Sequence, residues 1–179
     1  MRLPIFLNLI SVMVIFGLAR AQTGETLKVG DRIPDFKLAY ATQDTVDFKG
    51  ISADDLKGKR YLVATFPAAW SPGCTKEMCT FRDTFADLAK LNIEILAVSG
   101  DFVFTQHEWA KNQKFNFRLM SDPTREFGRK LDVYNDQTGY FKRAVFVVGP
   151  DGIIQYINYN YSVADEKDYD ALKSFLAQK

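Results

Sequence analysis

The chemistry of this chain is concentrated in FPAAWSPGCTKEMC, residues 66–79, which hold both of its cysteines, Cys74 and Cys79. The nucleophilic form of cysteine is the thiolate, so the question is what surroundings would favour an anion at either sulfur. Residues 61–66 (YLVATF) form a short apolar run rich in β-formers, which reads as a strand covered on both faces. Pro67 ends it. Ser71 is a good N-cap, Pro72 suits the first helical position, and Met78, Phe81, Phe85 and Leu88 recur at helical spacing, which predicts a helix over 74–90. Cys74 then falls in the first turn, where unpaired N–H groups and the positive end of the helix dipole favour a thiolate. The bland alternative is a small cysteine packed in the core. Position, cap and the neighbouring Cys79 together favour the reactive reading.

The elements around that segment must form one domain. At 179 residues, 47% hydrophobic and 25% charged, the chain is an ordinary globular protein with enough apolar residues for a core. Residues 1–21 stand apart: Arg2 precedes an almost wholly apolar stretch, and Ala19-Arg20-Ala21 reads as a signal-peptidase site. The expectation is a leader over 1–21, a mature domain over 22–179, and export to a periplasmic or secreted location. A retained anchor is the alternative. The mature chain has 21 basic and 22 acidic residues, which gives it no bulk electrostatic reason to seek nucleic acid or a membrane surface.

Runs at 36–41 and 45–48 predict an N-terminal hairpin, followed by the strand 61–66, the helix, and a strand at 93–98. A helix over 104–114, a short strand at 117–120 and a helix over 123–131 capped by Asp122 come next. Strands at 144–148 and 153–159 flank the turn Gly149-Pro150-Asp151-Gly152, and a helix over 166–177 closes the chain. This order predicts an α/β fold of the thioredoxin-like type, with a central mixed sheet flanked by helices and the hairpin as an N-terminal extension.

Pro67-x-x-x-Ser71-x-x-Cys74 resembles the P-x-x-x-T/S-x-x-C signature of peroxiredoxins, and Thr75, Glu77, Phe81, Arg82 and Asp83 continue that family's usual run. The likeness covers residues 28–177, through Val29-Gly30-Asp31-x-x-Pro34-Asp35-Phe36 and Lys142-Arg143-Ala144, with a C-terminal half similar to the thiol peroxidase branch. The resemblance implies a thiol-dependent peroxidase with no cofactor, acting on hydrogen peroxide and organic hydroperoxides. Cys74 would attack the peroxide, Ser71 would hydrogen-bond thiolate or peroxide, Arg143 would stabilise the charges, and Pro67 would shield the pocket. Taken singly, Ser71 reads equally as a cap, Pro67 as a strand end and Arg143 as a solvated charge.

The C-x4-C spacing resembles the branch in which a cysteine one turn downstream resolves the sulfenic acid, which would make Cys79 the resolving residue. The thiol peroxidase branch carries its resolving cysteine on the next helix, where Ala110 stands here. An intact helix would hold the two Cα atoms about 8 to 9 Å apart and about 140° around the axis, beyond disulfide reach, so the helix start would have to unwind. Alternatively Cys79 packs beside Met78 and an external thiol resolves. The expected reductant is a thioredoxin-like or other thiol protein, and the expected assembly a monomer or homodimer.

Two rivals remain at this level. WSPGCTKEM also resembles exported thioredoxin-like reductases, but Ser71 stands where their attacking cysteine would be and Arg143 where they carry a proline. A non-catalytic thioredoxin-fold binding module is the other. His107 reads as a surface residue without partner ligands for a metal, Trp70 and Trp109 as packing residues, and Arg125, Arg129 and Lys130 as a solvated helix face.

Overall fold

The computed structural model describes residues 26–90, 93–162 and 164–178, with backbone alone at 85–89. The expected leader over 1–21 lies outside the described residues. Seven strands form one mixed sheet: β1 (Lys37–Ala41), β2 (Val46–Ser52), β3 (Arg60–Thr65), β4 (Ile93–Ser99), β5 (Arg118–Ser121), β6 (Ala144–Val148) and β7 (Ile154–Asn158). Their order is β2-β1-β5-β4-β3-β6-β7, with β3, β4 and β5 mutually parallel and the remaining pairs antiparallel. This is the thioredoxin-like α/β fold expected from the sequence.

The helices are α1 (Pro72–Lys90), α2 (Val103–Gln113), α3 (Glu126–Lys130) and α4 (Glu166–Leu176). Strand alternation divides the core into two layers. Leu62, Ala64 and Phe66 face α1, α2 and α4 through Cys74, Met78, Phe81, Trp109 and Leu172, whereas Tyr61 and Val63 face Phe127, Leu131, Val133 and Phe141 on the other side. Central strands are therefore apolar on both faces, which is why β3 and β4 read as continuous hydrophobic runs.

The hairpin expected as an N-terminal extension is present and joins the main sheet, because β1 pairs with β5, and β2 runs on to Ser52. Two expectations need correction. The helix expected over 123–131 is only Glu126–Lys130. Asp122 does not cap it; Pro123 and Thr124 form a turn, Arg125 takes a left-handed conformation (φ 64°), and Asp122 instead accepts from the Gly128 N–H at 2.9 Å. Arg125 is likewise no solvated charge, since its guanidinium donates to the carbonyls of Gly100 and Asp122 and lies over the Phe141 ring. A Cβ at residue 100 would overlap that guanidinium, so glycine there leaves room for Arg125 to take this position.

Candidate active site

Strand β3 delivers the chain to the site. Beyond Thr65, the Phe66 N–H still reaches the Val98 carbonyl of β4 (3.0 Å), and half-buried Pro67 follows, so pairing on this strand stops at the proline. The connecting loop is tethered at Ala69, whose N–H donates to Asp101 Oδ2 (2.8 Å). Asp101 also accepts from Ser99 Oγ, and Gln106 Nε2 donates to that same oxygen, so the loop is fixed to the end of β4 through a largely buried polar chain. Trp70 then takes a left-handed φ of 65°, at a cost of order 1 kcal/mol for a bulky residue, and turns the backbone into α1.

Ser71 caps that helix. Its Oγ accepts the Cys74 N–H (3.3 Å) and its carbonyl accepts the Thr75 N–H (2.9 Å). The capping part of the two readings of Ser71 is therefore what the geometry displays. Cys74 lies in the first turn as expected, with its side chain fully buried and its thiol free.

Arg143, one residue before β6, comes to the same sulfur from across the sheet. Its Nη2 donates to Cys74 Sγ at 3.5 Å, and its Nη1 pairs with the Glu77 carboxylate. The solvated-charge alternative for Arg143 is thereby excluded. The guanidinium runs close over the helix start, where a Cβ at Gly73 would be in ordinary van der Waals contact with Nη2 at 3.4 Å. Burial opposes the positive charge on Arg143, but Glu77 and Cys74 outweigh it and hold the guanidinium above its ordinary range.

Glu77 is the site residue to which the sequence attached no role. It is 1% exposed, its Oε1 has no hydrogen-bond partner among the described residues, and burial pushes its carboxyl up to about 7 against the opposing pull of Arg143. The signal was present: Cys74, Glu77, Met78 and Phe81 share one helical stripe, and a carboxylate on a buried stripe requires a cationic partner. Tyr161, stacked on Phe81 at 6.1 Å, keeps its phenol proton well above the ordinary range through burial and then the charge of Glu77.

A signed pH effect follows from Glu77. Below the 4.5 of a free carboxyl, folded and unfolded chains both hold the proton, and its burial has no pH-dependent cost. Between 4.5 and about 7 the unfolded chain ionises first, so stability falls as pH rises, by about 3 kcal/mol over that window. Glu77→Gln is expected to lack this fall. Denaturant titrations of both proteins at pH 4.5 and 8 measure it, and parallel slopes would contradict it.

Cys79 is half-buried one turn further on. Its Sγ donates to Gln113 Oε1 at 3.6 Å, at the end of α2, where Arg82 Nη1 also donates to the Gln113 carbonyl (2.7 Å). Both cysteines lie inside the intact helix and both are free. His107 is half-buried rather than on the surface, with Nδ1 2.8 Å from the Thr42 carbonyl. Trp109 is buried and Trp70 exposed. Among the described residues, no three His, Cys, Asp or Glu side chains cluster to hold a metal, and no helix is long and apolar enough to cross a membrane.

A buried thiol at a helix start, beside a guanidinium, is equipped to attack an electrophile and to stabilise the anion that leaves. The AhpC/TSA family model matches residues 29–157. The chain is 34% identical over 136 residues to alkyl hydroperoxide reductase C of Amphibacillus xylanus, covering 74% of this chain and 72% of that protein. It is 32% identical over 142 residues to chloroplastic peroxiredoxin Q of Oryza sativa subsp. japonica, covering 77% of this chain and 61% of that one. The crystal structure of peroxidoxin BcpB from Mycobacterium tuberculosis superimposes with a TM-score of 0.71 at 27% identity, over 84% of this chain and 96% of that one.

Proposed function

For a chain that belongs to the AhpC/TSA family of peroxiredoxins, and so is a thiol-dependent peroxidase, we propose that the reacting group is Cys74 and that hydrogen peroxide and organic hydroperoxides are its substrates. The observation that carries this reading is the Arg143 Nη2 contact with Cys74 Sγ in the first turn of α1. The Cys74 thiolate attacks the terminal peroxide oxygen. The O–O bond breaks, sulfur is oxidised to a sulfenic acid, and the other oxygen leaves as hydroxide or alkoxide and takes a proton to become water or alcohol. Arg143 offers positive charge to the sulfur before attack and to the departing oxygen after it. Ser71 holds the helix start in register and supplies a hydroxyl to the peroxide, and Pro67 closes the pocket wall against water.

Cys79 then attacks the sulfenic sulfur, releasing water and forming a disulfide that an external dithiol, thioredoxin-like or of another kind, reduces. The turn between the two cysteines unwinds for this step, because an intact helix keeps them beyond disulfide reach. The leader over 1–21 directs the chain out of the cytoplasm, and it works there as a monomer or homodimer.

Stoichiometry tests the assignment. Without added reductant, the reduced protein should lose two thiols per peroxide and acquire a link between Cys74 and Cys79. Cys79→Ser should lose one thiol and accumulate a sulfenic acid that dimedone traps. If Cys79→Ser instead turns over at the wild-type rate with thioredoxin, and no intramolecular link forms in the wild type, resolution belongs to an external thiol.

A further inference from the structure

Arg143 could point in many directions from its place before β6, and one buried hydroxyl restricts it. Thr65, the last residue of β3, is fully buried and lies opposite Ala144 in the antiparallel register. Its Oγ1 donates to the Lys142 carbonyl at 2.9 Å and accepts the Ala144 N–H at 3.2 Å. Those two groups belong to the peptide units on either side of the Arg143 Cα, so a single oxygen tethers both units and restricts φ and ψ of Arg143; the Ala144 carbonyl, at 3.4 Å, is a longer second acceptor for the same hydroxyl.

We propose that Thr65 is a positioning residue of the peroxidase site: its hydroxyl sets the backbone of Arg143 and so aims the guanidinium at Cys74. This rests on the reading of Cys74 and Arg143 given above. Thr65 touches neither substrate nor sulfur. Thr65 and Ala144 are also partners in the β3–β6 ladder, but that ladder does not reach the Lys142 carbonyl, which lies beyond the end of β6 and is held by the hydroxyl. A valine of the same shape would take the hydroxyl from the Lys142 carbonyl and remove its tie to the Ala144 N–H, freeing the segment just before β6 to shift. At 3.5 Å the contact between Nη2 and Sγ has an ordinary length for a donor to sulfur, and a shift of about 1 Å away from the sulfur is enough to lose it.

The test compares Thr65→Val and Thr65→Ser in the full chain. Peroxide kcat/KM is read for each, together with the rate of Cys74 alkylation by iodoacetamide across pH in a Cys79→Ser background. Thr65→Val is expected to lower kcat/KM about tenfold, to slow alkylation near neutrality by a similar factor, and to move the alkylation profile to higher pH. Thr65→Ser, which keeps the hydroxyl, should restore both. A purely structural threonine would lower thermal stability without moving the alkylation profile. An unchanged profile in Thr65→Val overturns the proposal, as does failure of Thr65→Ser to restore it. Should Thr65→Val not fold, Thr65→Ala carries the same comparison. Arg143→Met serves as the reference: if its profile is also unchanged, the reading of Arg143 falls, and the role of Thr65 falls with it.

Discussion

Exchanging Cys74 for serine will abolish peroxide reduction, lowering kcat/KM by at least about 10³-fold, while the fold stands. A serine hydroxyl stays protonated at neutral pH and is a poor nucleophile toward an O–O bond, so neither Arg143 nor the helix start has an anion to stabilise. The cavity hardly changes. The position is fully buried, oxygen is slightly smaller than sulfur, and Arg143 still finds an acceptor there, so the loss of stability is limited to about 1 kcal/mol. Peroxide consumption in the presence of thioredoxin, together with thermal unfolding, measures both parts. Turnover within tenfold of wild type would remove Cys74 from the mechanism.

Arg143→Met will be costly in two separable ways. Without the guanidinium, the sulfur and the leaving oxygen both lose their cation, and kcat/KM should fall by about 10² to 10³. Glu77 meanwhile loses its hydrogen-bonded partner, the only one among the described residues. An uncompensated buried charge costs about 3 to 5 kcal/mol, and the carboxyl avoids that by holding its proton, so the destabilisation should be small at pH 5 and grow above pH 7. The double variant Arg143→Met with Glu77→Gln removes the charge from both sides. It should recover stability at pH 8 without recovering turnover. If turnover also recovers, Arg143 acts only as the counter-ion of Glu77.

These two residues show what a sequence makes visible. The start of α1 was readable because its determinants are local: Ser71 as cap, Pro72 in the first turn and an apolar stripe beginning at Met78. Arg143 was reached only by resemblance, since nothing in its neighbours announces a sulfur 69 residues upstream. Glu77 and Thr65 were passed over because each sits within an apolar pattern that identified its element, one on the buried stripe of α1 and one inside the run of β3. A polar residue embedded in such a pattern is the place to look for a partner, although which partner depends on the tertiary fold. The misreading around Asp122 is of another kind. Asp-Pro is a good helix-start signal, but tertiary contacts to Gly100 and Phe141 draw Arg125 into a left-handed turn that delays the helix.

The two halves of the site differ in how they can move. Arg143 leads directly into β6, a strand bonded on one side to β3 and on the other to β7, and is tied to β3 through the Thr65 hydroxyl, so large excursions would require that strand to unpair. Cys74 hangs on a single turn held by one serine cap and by a loop tethered at Ala69. Under the proposed cycle only the sulfur travels, out to Cys79 and back, and the guanidinium is the fixed mark against which it is reset. Fidelity from one turnover to the next is thus a property of the stationary strand, and amides around Ala144 should be among the last to exchange even when those of the first helical turn exchange freely in the oxidised protein.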